Sequence, residues 1–128
     1  MVTVSPELGV REAFFKMKEH RIRHLPVVDE NKQLVGIVSD RELRRPNWVD
    51  ESHDIAHDYY LDDSSMSVSD IMIKNVYVLH TYDNLRKAID LLLEHDIGAA
   101  PVIDKTGDLV GMHSAVDLLR ALHELLEE

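Results

Sequence analysis

The sequence predicts a mixed α/β (α+β) fold built from two copies of one β-α-β-β-α unit. Three observations predict it. Shifted by 75 positions, the chain overlays itself without a gap, Val10–Arg45 falling on Leu85–Arg120. Identical pairs include Arg11/Arg86, Ala13/Ala88, His20/His95, Ile22/Ile97, Pro26/Pro101, Asp29/Asp104, Gly36/Gly111 and Ser39/Ser114. Each copy also carries one segment of helical apolar spacing followed by two short β-like runs. Finally, a copy of about 45 residues is too short to bury a good core by itself, so two copies must pack together. A repeat of this kind sets the architecture before any single motif is read.

In the first copy, Val2-Thr-Val4 reads as an extended lead-in. Val10, Ala13, Phe14 and Met17 then recur at helical spacing, and the helix ends near His20. A β-run, Leu25–Asp29, is followed by a polar turn at Glu30–Gln33 and a second β-run, Leu34–Val38. Ser39 stands where it would cap a closing helix. The second copy repeats the order: Val76–Leu79, a helix through Leu85, Ala88, Ile89 and Leu92, then Ala100–Asp104 and Leu109–His113. Asp83 is the expected N-cap of its first helix, and Ser114 that of its last. The closing helix carries Leu118, Leu119, Leu122, Leu125 and Leu126, a stripe broad enough to meet both a core and a partner subunit.

The organisation expected is residues 1–45 as repeat one, 46–67 as an acidic linker, and 68–128 as repeat two with the C-terminal helix. Trp48, Tyr59 and Tyr60 within the linker point to part of it packing down. His53 and His57 are four apart and flanked by Asp54 and Asp58, but no third ligand follows at fixed spacing, so no metal site is expected.

Composition narrows the function. A net charge of −10 argues against a nucleic-acid surface, since phosphate binding needs clustered cations. Arg21, Arg23, Arg41, Arg44 and Arg45 nevertheless gather in the first third, which suits a small anion or a solvated basic face. The absence of cysteine excludes disulfides and thiolate chemistry and fits a cytoplasmic location. No apolar run approaches the ~18 residues of a membrane helix, so no membrane association is expected. The chain enters a strand-like segment directly after Met1 with no signal-peptide pattern, which suggests a trimmed N-terminus. No nucleophile–base–orienter set, phosphate-cradling glycine loop or paired-histidine zinc motif occurs, so the expectation is not an enzyme.

The runs Ile22-Arg-His-Leu-Pro-Val-Val-Asp29, Leu34-Val-Gly-Ile-Val-Ser-Asp-Arg-Glu-Leu43, Val68-Ser-Asp-Ile-Met72 and Ile97-Gly-Ala-Ala-Pro-Val-Ile-Asp104 resemble the CBS family. The long acidic linker and the Arg21–Pro26 run most resemble its acetoin-utilisation B type. The resemblance implies two CBS repeats packed around a pseudo-twofold axis (a Bateman module), commonly a homodimer of such pairs. It implies clefts for an adenine nucleotide or derivative (AMP, ADP, ATP or S-adenosylmethionine), no required cofactor, and control of a regulated partner protein.

The family motif of Gly, two apolar residues, Ser or Thr, two residues and Asp appears as Gly111-Met-His-Ser114-Ala-Val-Asp117. A carboxylate there accepts both ribose hydroxyl protons, and a hydroxyl at a helix start reaches ribose or phosphate. The same residues would also serve simply as N-cap and first-turn acid. Copy one has Ser39 but Glu42 in place of the Asp, with Arg41 well placed for a phosphate. The resemblance places the base against Ile97, Gly98, Ala99, Ala100 and Pro101, and against Arg23 and His24 in the first copy. The small residues at 98–100 leave room for a ring, or serve close strand packing. Thr3 fits a family threonine near the first strand, where copy two has Val78.

Overall fold

The computed structural model of the chain describes residues 1–43 and 66–127. Val2–Asn75 and Val76–Glu128 form two compact units. The linker residues Trp48, His53, His57, Tyr59 and Tyr60 lie outside the described residues.

In the first unit α1 spans Val10–His20, β1 His24–Val28, β2 Leu34–Ser39, α2 Asp40–Leu43 and α3 Val68–Ile71. α1 ends because Arg21 turns into the left-handed region at φ 55°. The Arg21 amide then donates to Lys18 O and the Ile22 amide to Met17 O, the paired bonds of a Schellman closure. The chain is thereby returned along the helix as β1. β1 and β2 pair antiparallel with Leu25 opposite Val38 and Val27 opposite Gly36. Their turn is held by Asp29, whose Oδ1 accepts from the amides of Asn31 and Gln33. Val4 adds a single parallel bridge to Val27 where a full strand is expected.

The second unit contains β3 Leu79–His80, α4 Leu85–His95, β4 Ala99–Ile103, β5 Leu109–Ser114 and α5 Ala115–Leu125. It repeats each local device. Asp96 takes the left-handed turn at φ 52°, and Ile97 N donates to Leu92 O. Asp104 Oδ1 accepts from Thr106 N and Asp108 N, as Asp29 does in the first unit. Both hairpins shift register one residue before their turn, between Val27 and Val28 and between Val102 and Ile103. The sheet order is β3-β4-β5, with β3 parallel and β5 antiparallel to β4.

Three expectations need correction. The strand read at Val76–Leu79 is confined to Leu79–His80. Each middle strand begins one residue earlier than read, at His24 and Ala99. The N-cap of α4 is Asn84, whose Oδ1 accepts from Lys87 N, and not Asp83. Asp83 closes the preceding turn instead, taking the His80 amide at 2.8 Å and the Lys87 ammonium at 3.2 Å. Those bonds hold its carboxyl below the usual range, the His80 amide contributing most.

The cores differ in one respect. Val4, Val10, Ala13, Leu25, Val27 and Val38 bury one face of the first unit, and Val68 from α3 completes it with no exposed surface. Met66, Ile71 and Met72 pack around Val68. The Val68 segment, which in sequence leads toward the second copy, is therefore part of the first unit's core. Its backbone is tied down as well: Val10 N donates to Met66 O, Val68 N to Leu8 O and Ser69 N to Pro6 O. Ile73 exchanges both hydrogen bonds with Ile37 on the edge of β2. The second core consists of Leu79, Ala88, Leu92, Ala100, Val102 and Leu118, with no counterpart of α3 among the described residues.

Glycine is required at position 36 by this close approach. A Cβ there would sit 2.6 Å from Met72 Sδ and 2.9 Å from Ile73 O, whereas one on Gly111 meets nothing within 4 Å. We expect Gly36→Ala to destabilise the protein by ~1–3 kcal/mol in urea denaturation. Gly111→Ala should change stability by no more than about 0.5 kcal/mol.

Candidate functional site

The second unit assembles its motif at the junction of β5 and α5. Ser114 ends the strand and caps the helix, so one residue serves both elements. The Ser114 amide donates to Asp117 Oδ2 at 2.9 Å, and the Asp117 amide donates to Ser114 Oγ at 3.2 Å, a reciprocal capping box. These bonds hold the Asp117 carboxyl below the usual carboxylate range, the Ser114 amide contributing most against partial burial. The side chain stays exposed and ionised at neutral pH.

Antiparallel register sets the predicted base-reading segment beside this motif. Ala99 lies opposite Ser114, Ala100 opposite His113 and Pro101 opposite Met112. The Ala115 amide donates to the Gly98 carbonyl, tying the start of α5 to the approach of β4. Gly98 is exposed and Ile97 half-buried, while Ala99, Ala100 and Pro101 are buried. Ala100 is fully enclosed within the second core, so its small size serves packing against neighbouring residues.

The first unit places Thr3, Arg23, His24, Ser39, Arg41 and Glu42. Both the Ser39 amide and its hydroxyl donate to Glu42 Oε1, at 2.9 and 2.7 Å. Glu42 Oε1 thus engages the serine amide and hydroxyl together, and the Asp117 carboxylate likewise draws on both the amide and the side chain of Ser114. Arg41 is exposed and its amide donates to Ser39 Oγ. His24 lies opposite Ser39. Burial lowers its imidazole pKa, Glu42 opposes that shift and Arg23 adds to it. Thr3 precedes the Val4 bridge to β1. A shallow cleft of about 350 Å³ includes Arg23 together with Lys18, Arg21 and Phe14.

A larger cleft of about 500 Å³ opens in the second unit between β3, the start of α4, β5 and α5. Among the predicted binding residues it takes in only Asp117. Ser114 and residues 97–101 are not among its walls. Sequence reasoning missed this cleft, and also the stacking of Tyr77 on His95 at 3.6 Å between ring centroids. The signal for the cleft was present: polar Asp83 and His113 stand where copy one has apolar Leu8 and Val38. Among the described residues no cluster of three or more His, Cys, Asp or Glu could hold a metal ion. None of the described helices is long and apolar enough to cross a membrane.

Comparison with known proteins finds the same fold in solved CBS pairs. A crystal structure of CBSX2 in complex with AMP matches with a TM-score of 0.77 and 28% identity, covering 98% of this chain and 89% of that one. A second CBSX2 structure, from Arabidopsis thaliana, reaches 0.81 at 29% identity, covering 98% and 87%. The CBS domain pair of protein MJ0100, in complex with 5-methylthioadenosine and S-adenosyl-L-methionine, gives 0.76 at 25% identity, covering 97% and 89%. A CBS domain-containing protein of Dictyostelium discoideum is 30% identical over 131 residues, covering 99% of this chain and 88% of that protein. The chain spans only 48% of protein MJ1225 of Methanocaldococcus jannaschii. It spans about a fifth of the homoserine O-acetyltransferases and inosine-5'-monophosphate dehydrogenases it also matches.

Asp117→Asn should cost on the order of 0.5–1 kcal/mol at neutral pH by weakening the capping box. Because the folded pKa is depressed, that contribution is complete above the unfolded value of about 3.9 and is lost as pH falls through the folded value. Urea denaturation of both proteins at pH 7 and pH 3 should show the difference shrinking in acid.

The family model for the CBS domain matches residues 1–46 and 68–124, and the chain belongs to the CBS domain family.

Proposed function

We propose that the chain is a regulatory module that binds an adenine nucleotide or a related adenosine derivative and thereby modulates a partner protein. The observation that carries this reading is the Ser114–Asp117 constellation. An exposed, ionised carboxylate stands at the first turn of α5, beside the exposed Gly98 segment. Asp117 would accept the ribose hydroxyls, Ser114 and the helix amides would face phosphate, and Ile97–Ala100 would lie along the base. AMP, 5-methylthioadenosine and S-adenosyl-L-methionine in structurally similar pairs support the ligand class. In the first unit Ser39 and Glu42 would form the second site, with Arg41 and Arg23 toward phosphate and Thr3 and His24 toward the nucleoside.

The acidic linker and the Arg21–Pro26 run favour the acetoin-utilisation B type within the family, in the cytoplasm. Exposed Leu119, Leu122, Leu125 and Leu126 on α5 support a homodimer of pairs. One observation favours a second reading, a ligand-free dimerisation scaffold. Ser39 and Glu42 already satisfy one another, which leaves the first site fewer free groups.

Isothermal titration calorimetry with AMP, ADP, ATP and S-adenosylmethionine separates the readings. We expect saturable binding by at least one of them, weakened tenfold or more by Asp117→Ala in a protein that still folds. At 100 times the dissociation constant, the ligand should add ~2.7 kcal/mol of stability, a rise of several degrees in Tm. No binding across the panel by a folded dimer would support the scaffold instead.

A further inference from the structure

The two units share a fold but differ in charge where an adenosine ligand is proposed to lie. In the first, Lys18, Arg21 and Arg23 line the cleft of about 350 Å³, with Asp40 the one acid on its described wall. The Asp40 amide donates to the Arg23 carbonyl at 2.9 Å. That bond sets the cleft against the junction of β2 and α2, where Ser39 and Glu42 stand. Exposed Arg41 follows directly, its amide on Ser39 Oγ. None of these four cations forms an ion pair among the described residues.

At the matching positions of the second unit stand Leu93, Asp96, Gly98 and Val116. The exchange of Arg21 for Asp96 is the sharpest, because both residues make the same left-handed turn, at φ 55° and 52°. One backbone position thus presents opposite charges in the two units. The Ser114 amide first, and then His113 and Arg120, hold the Asp117 carboxyl below the usual range, so those two basic groups already face an acid.

Four like charges around one cleft repel each other, in a protein whose net charge is −10. A chain of two or three phosphates relieves that repulsion and offers oxygens to each guanidinium fork. Ser39 and Glu42 already bond to one another, so the cations supply the attraction that this pair does not.

We propose that the two units sort adenosine ligands by charge. The first takes a nucleoside di- or triphosphate, with the phosphates among Lys18, Arg21, Arg23 and Arg41. The second takes an adenosine compound bearing one phosphate or none. This sorting rests on the nucleotide reading above and adds to it which ligand each unit holds.

Two-dimensional NMR of the isotopically labelled protein, titrated with ATP and separately with 5-methylthioadenosine, reads the two units independently. The Arg23 and Ser39 amides report the first unit, and the Gly98 and Ser114 amides the second. We expect ATP to saturate the first unit at a concentration at least tenfold lower than the second, and 5-methylthioadenosine to show the reverse order. Added salt should weaken ATP binding several-fold and leave 5-methylthioadenosine binding unchanged. Arg21→Asp, a side chain the second unit already carries at that turn, should cost ATP at least tenfold at the first unit in a protein that still folds. Asp96→Arg together with Val116→Arg should raise ATP affinity at the second unit at least fivefold. Equal ATP affinity of the two units, no loss in Arg21→Asp, or no gain in the double variant would overturn the sorting while nucleotide binding itself stood. No saturable shifts from either ligand in either unit would overturn both readings together.

Discussion

Two short strands with one helix across them leave an apolar face that nothing within the repeat can cover. In the first unit that face is closed by Val68, Ile71 and Met72, and much of the structure answers to this closure. It requires glycine at position 36, where any Cβ would strike Met72 and Ile73. It satisfies the first amide of α1 through Met66 O and both polar groups of Ile37 through Ile73. A segment that belongs by sequence to the approach to one repeat is therefore built into the core of the other. Among the described residues the same face of the second unit borders a cleft, and β5 is the edge strand of its sheet.

The sequence read alone reached the repeating unit because the signals were local and doubled. Met17, Arg21 and Ile22 make the same helix closure as Leu92, Asp96 and Ile97, and Asp29 and Asp104 hold the same turn. The exchange of Val68 was out of reach, because nothing in an apolar run states which of two similar faces it will cover. The N-cap of α4 was missed for a narrower reason. Asp83 and Asn84 are adjacent and equally suited to capping, and the competing His80 amide and Lys87 ammonium decide between them.

The motif residues were also found from sequence, but their local duties were not separable from their functional ones. Ser114 and Asp117 form a capping box that would stabilise α5 with no ligand at all. The difference between the copies emerges only from geometry. Glu42 Oε1 takes the amide and the hydroxyl of Ser39 at 2.9 and 2.7 Å, and Asp117 Oδ2 takes the Ser114 amide at 2.9 Å. Ala100, read as room for a ring, lies enclosed in the core, whereas Gly98 remains exposed.

The position of β5 at the edge of its sheet, among the described residues, has a colloidal consequence. Val110 is half exposed on that strand, and the α5 leucines add further apolar surface within the same unit. Such surfaces invite disordered association in concentrated solution, and mutual repulsion between molecules carrying ten net negative charges opposes it. That protection is long-ranged and therefore fragile. Salt shortens its reach to about 8 Å at physiological ionic strength, and acidification toward the isoelectric point near 5.1 removes it. The exposed apolar side chains of the second unit thus tie the usable concentration range of the protein to its ionic surroundings.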